Sequence, residues 1–434
     1  MPEYRSGKGH RAVFCENGEQ DARLLNALRK RSRPRYEGIS PHMLSDQNAD
    51  LRGMAESIRL FLSGDVMTGR GIDQILAHPN NPTLHEPYVR DARTYVKLAE
   101  RVNGAIPRLA KPDYIWGDAL AELDRSCVDR RIVNLETSIT SSEHYWPDKG
   151  IHYRMHPRNV GSISAARIDC CCLGNNHILD WGYDGLAETI QTLDSAGIAH
   201  TGAGRNAAEA AAPAVLDVPG KGRVLVFSYG APTSGIPPRW AATAHRPGVN
   251  FLEDTSEKAA ARIASEMNAY KRKDDVIVAS IHWGGNWGYQ ILDEDVRFAH
   301  QLIELGIAVV YGHSSHHVKT AEIYSDRLVL YGCGDFLNDY EGIGGHEELR
   351  SDLTLMYLPA IDPRDGQMVE ARLVPMRIAR FRLSRAAKAD AHRLCDLLNQ
   401  LGAPLRTRSE LAADQALTLL SSAAAGTRLN FGFR

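Results

Sequence analysis

From Ile58 onward, short apolar runs alternate with amphipathic stretches. Arg59–Ser63, Arg131–Asn134, Cys170–Leu173, Arg223–Ser228, Val276–Ile281, Ala308–Tyr311, Ala321–Tyr324 and Leu328–Tyr331 have the length and composition of buried strands. Asp184–Ala196, Ser256–Lys271 and Asp293–Leu305 read as helices between them. Leu186, Ile190 and Leu193 share one helical face, and Gly197 follows where a left-handed cap would close the helix. Strand–helix alternation predicts an α/β layered fold. The later runs lie too close together to hold helices between them, which predicts an antiparallel or mixed second sheet. Ala386–Leu401 predicts a further helix. No internal repeat is visible.

Residues 1–57 differ. They lack sustained periodicity and carry the basic cluster Arg29, Lys30, Arg31, Arg33 and Arg35. Such a segment reads as a poorly ordered, solvated extension, with a docking arm for an acidic partner as the alternative. The predicted division is an N-terminal extension over 1–57, a main domain over 58–380 and a C-terminal helical appendage over 381–434.

Composition narrows the function classes. Lys+Arg total 51 against 53 Asp+Glu, a formal net charge of −2, so no nucleic-acid partner is expected. No run approaches the roughly 18 apolar residues of a membrane span. The first residues do not resemble a signal peptide. Seven Cys, three of them consecutive at Cys170, Cys171 and Cys172, fit a buried strand better than a disulfide framework. A cytoplasmic location is expected. Nothing in the sequence sets the oligomeric state.

The chemistry lies where the strands end. The first run leads into Gly64 and Asp65, and the second into Leu135 and Glu136. The Cys run leads into Gly174, Asn175, Asn176 and His177. Val276–Ile281 is followed by His282 and Trp283, and Ala308–Tyr311 by Gly312, His313, Ser314, Ser315, His316 and His317. In open α/β sheets ligands bind beyond the carboxyl ends of strands, so these groups can converge. Carboxylates, an amide and imidazoles without a thiolate suit Mn, Fe, Zn, Mg or Ca.

The motifs Gly64-Asp65-Val66-Met67, Asn134-Leu135-Glu136, Asn175-Asn176-His177-Ile178-Leu179-Asp180, Ile281-His282-Trp283-Gly284, Gly312-His313 and Tyr331-Gly332-Cys333-Gly334-Asp335-Phe336 resemble those of the CapA family. These proteins are named for poly-γ-glutamate capsule synthesis. The likeness runs from Ile58 to Leu358. It implies a metallophosphatase-like (calcineurin-like) sandwich of two mixed sheets flanked by helices. It also implies Asp65, Glu136, Asn176, His282 and His313 as ligands of a divalent metal, with His177 as proton donor. Met67 stands where the wider pattern has a ligand His. Ser315 stands where the second His of the closing motif would fall, with His316 one residue later. A two-metal clamp for phosphoryl transfer would thus lack donors at one position.

Acid and base candidates are His177 with Asp180, and His316 or His317 with Asp335. An imidazole tied to a carboxylate keeps one tautomer and is a better base. Trp283 and Trp287 either wall a cleft or pack at a loop edge. Arg70 and Arg154 either hold a substrate carboxylate or pair with surface acids. The resulting expectation is a metal-dependent enzyme doing acid/base or hydrolytic chemistry on an anionic, peptide-like substrate such as a γ-glutamyl chain. Epimerisation at a peptide Cα is the alternative. Phosphoester hydrolysis and a non-catalytic accessory role in capsule synthesis rank below both.

Overall fold

A computed structural model of the chain describes residues 56–422. Most of the expected N-terminal extension, with its Arg29–Arg35 cluster, therefore lies outside the described residues.

Two mixed sheets form the centre. In the first, Arg130–Leu135, Cys170–Cys172 and Ala199–Thr201 follow Ile58–Val66 in parallel order on one side. Leu353–Ile361 and Met368–Ile378 add antiparallel strands on the other. In the second sheet, Gly222–Gly230, Asp275–His282, Val309–His313 and Arg327–Leu330 run parallel. Antiparallel edges, Ala214–Val218 and Ala321–Tyr324, close it on both sides. This is the mixed second sheet that the close spacing predicts.

The two sheets pack face to face through one apolar layer, which includes Leu60, Leu62 and Leu355 from the first and Val226, Val278 and Tyr311 from the second. Helices cover the outer faces. Gly182–Ser195 lays Leu186, Ile190 and Leu193 on the first sheet. Glu257–Asn268 and Asp293–Glu304 lay Ile263, Phe298 and Leu302 on the second. Gly197 has φ +68, the left-handed conformation that glycine adopts without a Cβ clash. The three cysteines alternate as a strand must: Cys170 and Cys172 face the inter-sheet layer and Cys171 the helices. Cys170, Cys171, Cys172, Cys333 and Cys395 are buried free thiols.

Beyond residue 381 the chain is not helical alone. The expected helix is present as Lys388–Gly402, but Leu383–Arg385, Thr407–Leu411 and Leu417–Ser421 extend the first sheet past Met368–Ile378. In Thr407–Leu411 the inward positions Thr407 and Ser409 are themselves polar, so no apolar alternation marks that strand in the sequence. No helix among the described residues is long and apolar enough to cross a membrane.

Candidate metal and acid–base centre

Register brings the strand ends together. Asp65, at the end of the first strand, pairs with Asn134 on one side and with Asp335 of the short parallel strand Asp335–Leu337 on the other. His282 and His313 end adjacent strands of the second sheet directly opposite each other. Gly64 permits this junction. A Cβ there would lie 1.7 Å from the Gly334 carbonyl oxygen, and the Asp65 N–H donates to that same oxygen at 2.9 Å.

The result is two donor triads that share Asp65. Asp65, His282 and His313 form one, and Asp65, Glu136 and Asp335 the other; within each, the donor atoms lie within 4.8 Å of one another. All five residues are buried. His282 Nε2 faces the Asn176 amide oxygen at 3.0 Å, which places its hydrogen on Nε2. His313 Nε2 sits 2.7 Å from Ser280 Oγ. The two Nδ1 atoms then face each other at 3.0 Å, a contact that needs a proton or a cation between them. Glu136 Oε2 is buried and has no hydrogen-bond partner among the described residues. An orphaned carboxylate oxygen is costly unless something positive meets it. These donors fit a divalent cation, with oxygen-rich and imidazole-containing halves.

Electrostatics agree with that fit. Burial, reinforced by the Asp335 carboxylate, pushes Asp65 up to about 8. Burial and the nearby Asp65 and Asp335 charges push Glu136 up as well. Burial holds His282 well below its usual range, and lowers His313 to about 3, so both imidazoles are neutral as ligands must be.

Two imidazole–carboxylate pairs flank the carboxylates. His177 Nδ1 lies 2.6 Å from Asp180 Oδ2, and its Nε2 lies 3.8 Å from Glu136. His316 Nδ1 lies 3.0 Å from Asp335 Oδ1. The surroundings push the two rings apart in basicity. Burial, with the Lys149 ammonium beside it, drives His177 well below its usual range. Burial alone would lower His316, but the Asp335 carboxylate outweighs it and raises the ring. Tyr153 stacks on His177 at 3.8 Å and Tyr340 meets His316 edge-on at 5.1 Å, and the two phenol oxygens lie 2.5 Å apart.

Several sequence expectations change. Arg70 is not free for substrate: its guanidinium donates to Asp339, to Glu86 at 2.9 Å and to Tyr95 at 3.0 Å, deep in the protein. Arg154 lies 3.8 Å over the Trp181 ring and pairs with Glu143 at 3.1 Å. Trp283 is a core residue, 4% exposed, with its indole N–H donating to the Tyr331 carbonyl. Trp287 is at the surface, 5.1 Å from His316. His317 has no bond to Asp335: its Nδ1 meets the Val318 carbonyl at 3.2 Å. Asn176 contacts His282 through its amide oxygen, while Asn175 donates to Asn134 and to the Leu135 carbonyl. The Met67 thioether accepts from the Gly69 N–H at 3.2 Å.

Sequence reasoning missed one role and one participant. Asp335 belongs to a donor triad as well as to the His316 pair, which only the parallel pairing with the first strand reveals. Lys149 comes from an irregular loop and carries no motif. Its ammonium donates to Asp180 and to the Asn176 carbonyl, 3.1 Å from His177 Nδ1.

Comparison with known proteins agrees with the motifs. The family model described as "Bacterial capsule synthesis protein PGA_cap" matches residues 59–340. A probable polyglutamine synthesis accessory protein of Mycobacterium tuberculosis is 44% identical over 374 residues, covering 86% of this chain and 98% of that protein. The capsule biosynthesis protein CapA of Bacillus anthracis is 23% identical over 65% of this chain and 60% of its own length. Among solved structures, a 5'-nucleotidase precursor from Thermus thermophilus aligns over 80% of this chain and 59% of its own, at 14% identity and a TM-score of 0.38. With a family model over most of the described region and a close relative matched along nearly its whole length, the chain belongs to the PGA_cap family of bacterial capsule synthesis proteins, the CapA family.

Proposed function

We propose that this protein is a divalent-cation-dependent enzyme that moves protons or cleaves a bond on an anionic, peptide-like substrate, a γ-glutamyl chain being the class that the family resemblance implies; its relatives' names speak of polyglutamine synthesis and capsule biosynthesis. One observation carries the reading. A neutral, Asp-tied imidazole next to Glu136 and a more basic imidazole tied to Asp335 both border a cluster of three buried carboxylates. Titratable groups pushed apart by their surroundings mark base and acid roles.

Asp65, Glu136, Asp335, His282 and His313 would hold the cation, with Asn176 orienting His282. A bound cation supplies Lewis-acid polarisation of a substrate carbonyl or a lowered pKa for bound water. His177, with Nδ1–H held by Asp180, presents Nε2 as the base. Lys149 fixes Asp180 and keeps a positive charge beside the ring, which favours the neutral imidazole. His316, held by Asp335, serves as the acid.

Epimerisation at a peptide Cα is the second reading, favoured by the same pairing of one base and one acid at one centre. Incubation with γ-glutamyl peptides in heavy water separates the two. New termini indicate hydrolysis, and mass gain without cleavage indicates epimerisation. Neither outcome with any peptide, in the presence of Mn2+, would leave a binding role in capsule synthesis as the better reading.

A further inference from the structure

The donor atoms of this centre are sealed. Asp65, His282 and His313 are 0% exposed, Glu136 1% and Asp335 2%. Some covering element has to move before a ligand can reach them. On the His177 side the covering segment is tied down. The Trp146 N–H donates to the Asp180 carbonyl at 2.7 Å, the Tyr153 N–H donates to Asp180 Oδ2 at 2.6 Å, and Lys149 adds its contacts with Asp180 and Asn176.

On the His316 side a stacked ring pair joins two loops. Trp287 stacks on His346 with centroids 4.0 Å apart and planes at 19°. Trp287 is 37% exposed, yet it also meets His316, 8% exposed beneath it, at 5.1 Å and His317 at 6.3 Å. Among the described residues no hydrogen bond between backbone groups involves residues 287–291. Glycines with positive φ lie near both rings: Gly284 and Gly288 on either side of Trp287, and Gly342 and Gly345 just before His346. Glycine backbones rearrange at low steric cost.

We propose that the Trp287–His346 stack is a movable cover over the His316–Asp335 side of the centre, swung outward to admit a ligand. What it admits rests on the function proposed above; that it shields His316 does not. Ring pairs of this kind shift an equilibrium by about two- to ten-fold beyond area burial, enough to hold a loop closed and weak enough to release it.

The test is carbethoxylation of His316 in the ion-free full chain, followed by mass spectrometry of its peptide. His144, whose side chain is 86% exposed, is the internal standard. Trp287→Ala and His346→Ala should each speed His316 modification by about five- to ten-fold, with His144 unchanged. Trp287→Phe, which keeps a ring, should stay within about two-fold of wild type. His177, 5% exposed on the tied-down side, must stay protected. A wild-type rate at His316 in both alanine variants overturns the cover. So does unmasking of His177 in step with His316, which would mean general loosening. Chelator-driven loss of added Mn2+ should accelerate by the same factor. A wild-type chain that takes up no Mn2+, with His316 still unmasked in the variants, would overturn the metal reading and leave the cover intact.

Discussion

Arg70→Met should cost stability rather than substrate affinity. The wild-type guanidinium is 4% exposed, lies 3.9 Å from the Tyr95 ring centroid and 4.8 Å from that of Tyr153, and is the shared partner of Glu86 and Asp339. Its backbone sits at φ +44, a region that a non-glycine residue occupies only when its surroundings hold it there. Methionine keeps much of the volume but leaves two fully buried carboxylates without their cation. Removing one partner of a buried pair costs about 3–5 kcal/mol, which converts to a fall in Tm of roughly 4–6 °C for a domain of this size. The deficit should depend on pH. Burial already holds Asp339 above the usual carboxylate range while Arg70 pulls it down. Without Arg70 its folded-state pKa rises further above the unfolded value. The folded variant then binds more protons, and its stability falls as pH rises through that window. The Tm gap to wild type should therefore be smaller near pH 5 than near pH 8. Thermal scans of both proteins at the two pH values, with peptide binding measured in parallel, give the answer. A variant with wild-type Tm at both values and lost peptide binding would refute the structural role and restore Arg70 as a substrate contact.

Asp65→Asn combined with His282→Ala should abolish bound metal in elemental analysis, since both triads lose a donor; full metal content would sink the ligand assignment. His177→Ala should keep the metal and lose turnover, because its ring faces the centre from outside the triads; metal loss equal to that of His282→Ala would contradict this split. Asp65, pushed up to about 8 by burial and by Asp335, must give up a proton when a cation binds. Affinity for Mn2+ should therefore rise with pH between about 6 and 8, and calorimetry in buffers of different ionisation heat should detect proton release; identical heats would argue against it. Hydrolysis of activated aryl phosphates should be slow, because Met67 and Ser315 replace two imidazoles of the two-metal pattern and the Met67 sulfur is engaged by Gly69; efficient turnover abolished by His177→Ala would reverse that expectation.

The sequence by itself determined the layers and most of the residues of the centre. Apolar runs bounded by turn residues place the central strands, because a strand buried on both faces must be apolar throughout. The polar residues that interrupt these runs fall at the carboxyl ends, so Asp65, Glu136, His282 and His313 are legible one strand at a time. The local His177-x-x-Asp180 pair is legible too, since a short turn brings residues three apart together.

Tertiary structure decided which of these groups meet. Asp335 joins Asp65 and Glu136 only because a three-residue strand pairs in parallel with the first, and such a strand has no periodicity to read. Lys149 reaches Asp180 from a loop whose course no local pattern specifies. Arg70 and Arg154 look alike as candidate anion binders, and only burial and partners distinguish them from free cations. Trp283 and Trp287 are four residues apart, yet one fills the core and the other lies at the surface over His316. The physical reason is common to all of these. Local pattern reports what a residue's own strand or helix buries, whereas charge pairing and access depend on segments far away in the chain, which only the packed sheets bring within a few ångströms.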